Sequence, residues 1–389
     1  MTSNLRIGVI GAGGRGNVVR FAHHPETGVR VVAAADPNPG ALESFRHQYG
    51  NDTYVTDDYQ KFLREADCSA VFICSPDFCH EEQSVATLES GRDVYLEKPM
   101  AITTAGCDRI LDAASRNKRQ LYVGHNMRHM PVILKMKELI DSGRIGKVKA
   151  IWCRHFISYG GEAYFKDWHA ERAKATGLLL QKGSHDIDVI HWLAGGHSTL
   201  VHALGALTLY GDVKKRRRPD EKPQIRSIPD LWPPLAQDGL NPVIDIEDLS
   251  MMQMRLDNGV FASYLQCHYT PDAWRNYTVI GTEGRIENFG DFTGEVVIRL
   301  WNHPPNYNPD GDEQFPVSQG DPTEHGGADP RIVGEFVRYL REGGPLSASP
   351  LDARNSVAAG FAATESLRNG GIPMDVPDYE PANEHGSKT

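Results

Sequence analysis

The first third of the chain alternates short apolar runs with amphipathic stretches. Leu5–Ile10, Val31–Ala35, Ala70–Cys74, Asp93–Leu96 and Gln120–Val123 read as buried strands, being short, apolar and bounded by turn residues. Between them, Ala41–Tyr49, Asp58–Glu65, His80–Glu89 and Thr103–Asn117 carry the spacing of helices with one apolar face. Strands alternating with helices predict a parallel, doubly wound sheet of the Rossmann type. After Gly124 the rhythm changes. Alternating segments at Val148–Arg154, Thr199–Tyr210, Leu249–Leu256, Val260–Gln266, Asn276–Gly281 and Glu295–Leu300 follow one another mostly without helices, which predicts a large, open, mainly antiparallel sheet. Pro330–Arg368 reads as two helices returning along this second domain. The fold class is therefore α/β followed by α+β, with a domain over 1–124 and another over 125–389.

Composition narrows the classes of function. A chain of 389 residues, 40% hydrophobic and 24% charged, has material for two cores. Its net charge of −10 argues against nucleic acid or an anionic membrane as partner, because both require a basic field. No apolar run approaches a membrane span, and the first strand begins within a few residues of Met1, so the expected location is cytoplasmic. Six cysteines are scattered without a C-x-x-C pair, which predicts free thiols and no metal site. The basic run Lys214–Arg218 lies in a Pro-rich excursion over 211–247 and reads as a solvated loop, or alternatively as an oligomer contact or anion-collecting rim.

Two motifs carry chemistry. Gly11-Ala12-Gly13-Gly14-Arg15-Gly16 follows the first strand directly, a G-x-G-x-x-G turn in which absent Cβ atoms admit a pyrophosphate to the backbone at a helix N-terminus. Asp36 ends the second strand, where a carboxylate accepts both hydroxyls of an adenosine ribose and repels a 2′-phosphate. Pro37 follows it instead of a phosphate-holding arginine, so the predicted cofactor is NAD. Glu97-Lys98-Pro99 follows a later strand and brings an ammonium to the same edge.

With Ser75-Pro76, His80, Arg128 and Gly183-Ser184-His185-Asp186-Ile187-Asp188, these residues resemble the glucose-fructose oxidoreductase, inositol dehydrogenase and rhizopine-catabolism (Gfo/Idh/MocA) family. Ile145-Gly146-Lys147-Val148, Gly281-Thr282-Glu283-Gly284 and His325-Gly326-Gly327 extend the resemblance over nearly the whole chain. It implies NAD bound by the first domain, with Gly11, Gly13, Gly14, Arg15, Gly16, Asp36, Ser75, Pro76, His80, Glu97, Lys98 and Asn126 around it. It also implies a small-molecule sugar or cyclitol substrate between the nicotinamide and the second sheet, a cis bond before Pro99, and a homodimer or homotetramer.

Oxidising a secondary alcohol needs a base and a group that stabilises the developing alkoxide. Lys98 and His185 are the candidates, and a lysine beside a cationic nicotinamide is expected to ionise near neutrality. His185 falls in the apolar-periodic segment Leu178–Trp192, where Gln181, His185 and Asp188 share one helical face. Many dehydrogenases of the family carry an aspartate where this chain has Gln181, so the relay that the resemblance implies is incomplete here. Lys182, Tyr159 and Tyr164 are further candidates for the proton.

The stretch from Arg154 to Lys182 holds more cations than acids. Either Lys166, Arg172, Lys182 and their neighbours pair locally, or they receive an anionic sugar. Arg128, His129, Trp168, Trp274 and Arg275 suit a carbohydrate pocket. The expected activity is hydride transfer from a ring carbon of a sugar, sugar derivative or cyclitol. The alternative is a redox-neutral, NAD-dependent glycoside hydrolase acting by C3 oxidation, elimination, hydration and reduction, for example on an acidic or sulfonated glycoside.

Overall fold

The computed structural model describes residues 4–224, 232–304 and 306–381. Strands β1 (Leu5–Ile10), β2 (Val29–Ala35), β3 (Tyr54–Thr56), β4 (Ala70–Ile73), β5 (Asp93–Leu96) and β6 (Leu121–Val123) form a parallel sheet in the order 3-2-1-4-5-6. Helices Pro39–Tyr49, Tyr59–Glu65, His80–Glu89 and Thr104–Asn117 lie where periodicity places them, capped at Asn38, Asp58 and Thr103 by side chains that accept backbone N–H bonds. The short strand β3 has too few apolar residues to show in the sequence pattern. The helix after the glycine motif, Gly14–Ala22, is 3-10 throughout.

A second sheet contains β7 (Val148–Phe156), β8 (Ser198–Ala206), β9 (Leu249–Leu256), β10 (Phe261–Cys267), β11 (Trp274–Gly281), β12 (Arg285–Phe289), β13 (Val297–Trp301), β14 (Glu313–Pro316) and β15 (Met374–Asp375). Its order is 14-13-12-11-7-10-9-8-15, antiparallel except for the pair β7 and β10. Burial alternates along β9 and β10, as expected of a sheet with one covered face. The helix Gly183–Ala194 packs against β7 and β10, whereas Trp152, Leu204, Met251 and Phe261 are exposed.

Contacts divide the chain into two compact units. One comprises the residues up to His129, Gly327–Arg354 and those from Asp378 onward; the other comprises Met130–Gly326 and Asn355–Pro377. The division differs from the expected boundary at 124/125 because the chain returns to its first unit. Phe72, Tyr95 and Tyr122 are register partners on β4, β5 and β6. Phe72 and Tyr95 stack at 4.3 Å, and Phe336 meets Phe72 edge-on at 5.3 Å. Ile332, Val333 and Phe336 put the apolar stripe of helix Ala328–Glu342 into this core. The first of the two C-terminal helices thus completes the first unit, a correction to the expectation that both run along the second domain.

The excursion after β8 is also less solvated than its charge suggests. Arg216 donates to the Tyr210 carbonyl at 2.9 Å, and Arg217 donates to the Lys166 and Glu221 carbonyls at 3.2 and 2.7 Å. Lys214, Lys215 and Arg218 are exposed. The reading of the whole run as a solvated loop is corrected in part: two of its arginines hold backbone carbonyls, while its other three residues are exposed.

Candidate cofactor and substrate sites

The carboxyl edge of the parallel sheet is one straight row. Ile10 pairs with Ala35 and Ile73, Ile73 with Leu96, and Leu96 with Val123. The bonds continue one residue further: Gly11 N donates to Ala35 O, Cys74 N to Ile10 O, Glu97 N to Ile73 O and Gly124 N to Leu96 O. Gly11, Asp36, Ser75, Glu97-Lys98 and Asn126 therefore leave adjacent strands at the same height, beside the reversal of strand order between β1 and β4. Open α/β sheets take their ligands in this crevice.

The glycine turn fits a dinucleotide. Gly11 has φ +86°, and a Cβ there would sit 2.6 Å from Ser75 N. A Cβ on Gly16 would sit 1.9 Å from Gly11 O, so the turn closes only without side chains. Gly14, at φ +38°, has open space on its Cβ side. Asp36 accepts bonds from Gly13 N at 3.2 Å and Asn38 N at 2.8 Å, which fixes its carboxylate beside the turn. A cavity of about 470 Å³ opens there, lined by Gly13, Gly14, Asn17, Asn38, Ala41 and Ser44 among others.

Other residues expected around the cofactor are tied into the framework of the first unit. Arg15 pairs with Glu97 and with Asp329, both at 2.8 Å. Asn126 donates to Asp329 at 3.1 Å. Ser75 donates to Gln83 at 2.5 Å, and Pro76 opens the short helix Asp77–Cys79. Buried His80 lies 2.8 Å from Pro99 O and 2.9 Å from Ser75 O, so it joins the loops after β4 and β5. The Lys98–Pro99 bond is cis, as the resemblance implies. Arg128 bonds Ser347 O and lies 3.6 Å from Asp352, and His129 lies 3.6 Å from Glu335. These last two side chains, expected to line a carbohydrate pocket, contact the first unit's own C-terminal segment.

In the second unit the predicted helix Leu178–Trp192 is two helices, Leu178–Gln181 and Gly183–Ala194, joined by Lys182 at helical angles. Gln181, Lys182 and His185 are buried there. Beside them is a network that the sequence did not announce, centred on Asp186. Its carboxylate accepts bonds from Arg275 Nε at 3.0 Å, Tyr277 OH at 2.5 Å and Tyr264 OH at 2.9 Å, and lies 3.0 Å from His155 Nδ1. Arg275 also reaches Asp291 at 3.5 Å. Arg275 is expected from the sequence only as a pocket residue; the pairing itself leaves no trace there, because the partners come from β7, β10 and β11.

Electrostatics follow from this packing. Burial pushes Asp186 up, but the Arg275 guanidinium, followed by His155, overcomes it and holds the carboxyl well below the carboxylate range. Burial, with Arg275 next, takes His155 down to about 3. His268, buried beside His155 and Lys182, is likewise lowered.

The cations of the 154–182 stretch are mostly paired. Lys166 meets Glu162 at 2.5 Å and the Gln224 carbonyl at 2.8 Å. Arg172 meets Asp245 O at 2.8 Å and Glu247 at 3.6 Å, and Lys174 meets Glu171 at 3.0 Å. Trp168 stacks on His169 at 3.7 Å, Trp274 donates to Asp272 at 3.0 Å, and Tyr159 faces Tyr164 at 6.5 Å. The six cysteines are free thiols. Among the described residues no group of three His, Cys, Asp or Glu is placed to hold a metal, and no helix is long and apolar enough to cross a membrane.

Two family models match the chain: an oxidoreductase-family NAD-binding Rossmann fold over residues 5–125 and the same family's C-terminal alpha/beta domain over 137–376. The chain belongs to the Gfo/Idh/MocA oxidoreductase family. It is an NAD-binding enzyme of that family. It is 28% identical over 307 residues to YteT of Bacillus subtilis, named as an oxidoreductase, covering 69% of this chain and 71% of that one. It is 33% identical over 193 residues to the inositol 2-dehydrogenase of Burkholderia cenocepacia, covering 49% of this chain. The match spans about half the length of that enzyme, 55%. Among solved structures, levoglucosan dehydrogenase with NADH and levoglucosan has the same fold, with a TM-score of 0.75 at 21% identity over 97% of this chain and 100% of that one.

Proposed function

We propose that this protein oxidises a ring hydroxyl of a sugar, sugar derivative or cyclitol, with NAD as oxidant. The observation that carries the reading is the row at the carboxyl edge of the parallel sheet, where Gly11, Asp36 and the Glu97-Lys98 pair leave neighbouring strands at one height. NAD, when bound, supplies the hydride acceptor. Gly11 to Gly16 would hold its pyrophosphate, and Asp36 its adenosine ribose. Lys98 donates a hydrogen bond to the reacting oxygen, and His185 orients the hydroxyl and shares the charge that develops on it. Names borne by its relatives, inositol and levoglucosan dehydrogenases, support a cyclic polyol as substrate class.

A neutral polyol suits the second unit better than an anionic one. Lys166 and Lys174 each have a carboxylate partner, and Arg172 shares Glu247 with Arg368.

The test is an assay of NADH formation with NAD or NADP against a panel of inositols, anhydrosugars, hexoses, uronates and aryl glycosides. NADH growing in step with oxidised product on a neutral ring polyol is the expected result, with NAD preferred and the preference weakened in Asp36→Ala. Aglycone release without net NADH would replace this reading with the redox-neutral glycosidase.

A further inference from the structure

The proposed oxidation releases one proton for each hydride, and a basic group must take it or pass it on. Gln181, on the same helical face as His185, is an amide and has no basic site. Its neighbour has one. Lys182 continues the helical backbone between Leu178–Gln181 and Gly183–Ala194 with φ −89° and ψ −39°, three residues before His185 and four before Asp186. Positions at these spacings are neighbours on a helix surface.

The side chain is 9% exposed, and Nζ lies 6.0 Å from the Tyr159 ring centre and 5.7 Å from that of Tyr164. Among the described residues it has no hydrogen-bond or ion-pair partner. A buried ammonium in that position keeps its charge only through more distant groups.

Those groups are Arg275 from β11, Asp186 from its own helix and Asp291 after β12. His155 on β7 and His268 after β10 feel its charge in turn. Arg275, Asp186 and Asp291 together carry one net negative charge, so a proton on Lys182 neutralises the group and its loss leaves a single charge. Burial, then Arg275, draws the Lys182 ammonium down to about 7, against the pull of Asp186 and Asp291. Burial lowers both histidines and raises the tyrosines Tyr159 and Tyr264. Burial also raises Asp291, against the pull of Arg275.

We propose that Lys182, as the neutral amine, takes the proton of the reacting hydroxyl. The inference rests on the oxidation assigned above. In the step the O–H bond breaks and its proton joins the Nζ lone pair, giving an ammonium. The electron pair left on oxygen becomes the second bond of the carbonyl. The hydride leaves carbon for NAD, the oxidant that the family's reaction supplies. Hydride transfer in the reverse direction returns the proton from the ammonium.

The experiment has two arms on the full chain with saturating NAD. In the first, kcat/KM for oxidation of the best ring polyol is followed from pH 5 to 9. The wild type should rise tenfold per unit of pH and level off near pH 7. Lys182→Met and Lys182→Arg should lose about 100-fold or more in kcat together with that limb, while NADH binding by fluorescence stays within twofold. In the second, trace acetylation with mass spectrometry reads the ionisation of Lys182 directly in the wild type and needs no folded variant. Half-reactivity near pH 7 is expected, and protection by bound substrate. A variant that retains the acid limb, or a Lys182 that ionises like an exposed lysine, overturns the assignment alone. A wild type that forms NADH with none of the polyols overturns the oxidation and the assignment together.

Discussion

Asp186→Asn tests whether the second unit is organised around one buried carboxylate. The substitution keeps the shape and one oxygen but removes the charge. Asp186 accepts bonds from Arg275, Tyr264 and Tyr277 and lies against His155, and its side chain is wholly buried. In the variant an amide N–H₂ must face donors on one side of the carboxamide, and among the described residues Asp291, 3.5 Å away, is the carboxylate left to Arg275. Removing one member of a buried ion pair costs about 3–5 kcal/mol, since the partner's charge remains out of water. For a unit the size of the second one, that corresponds to a fall in Tm of about 6–20 °C. Thermal melting followed by tryptophan fluorescence reads it, since Trp152, Trp168 and Trp274 lie in this unit. The double variant Asp186→Leu with Arg275→Met removes both charges and should recover at least about 1 kcal/mol of the summed single losses. A single variant that melts within about 2 °C of wild type, or a double variant whose losses simply add, would refute the account of Asp186 as the charged hub.

Two further outcomes follow from the first unit. Gly16→Ala places a methyl 1.9 Å from the Gly11 carbonyl oxygen, so the pyrophosphate turn must open; NADH affinity by fluorescence titration should fall at least tenfold, and unchanged affinity would disprove that turn as the phosphate cradle. Glu335 accepts bonds from Tyr122 at 2.6 Å and from the Ser347 N–H and hydroxyl at 3.0 and 2.8 Å. Burial raises this carboxyl, but His129, Tyr122 and Ser347 outweigh it and lower it to about 2. Its folded value lies below the unfolded one, so the stabilisation is complete above about pH 4.5 and is lost as pH falls toward 2. Glu335→Gln should therefore destabilise the protein by about 3 kcal/mol at pH 7, with the gap to wild type closing between pH 4.5 and 2; a gap independent of pH would contradict the assignment.

The cofactor half was legible because its determinants are local. A G-x-G-x-x-G turn bonds mainly to itself and to the strand beside it, and an acid at the end of β2 sits near that turn in any parallel sheet of this order. Apolar periodicity placed most strands for the same reason, and missed β3, β12, β14 and β15, which are short and, in β12 and β14, interrupted by charged or polar residues. The helical face of Gln181, His185 and Asp188 was also readable, since it depends only on 3.6 residues per turn.

What the tertiary structure decided was pairing across long separations. No pattern in the chain joins Asp186 to Arg275, or Arg15 to Asp329. Both pairs form because strands and helices distant in sequence present polar groups where water is excluded, and a buried charge must then find a partner. The same rule sets carboxylates beside Arg128, Lys166 and Arg172, at 3.6, 2.5 and 3.6 Å. It assigned Ala328–Glu342 to the first unit through the burial of Phe336 against Tyr95 and Tyr122. Lys182 is the exception that gives the second unit its interest: an ordinary lysine in the sequence, it becomes a buried amine without an ion pair among the described residues only when Tyr159, Tyr164 and Arg275 close around it.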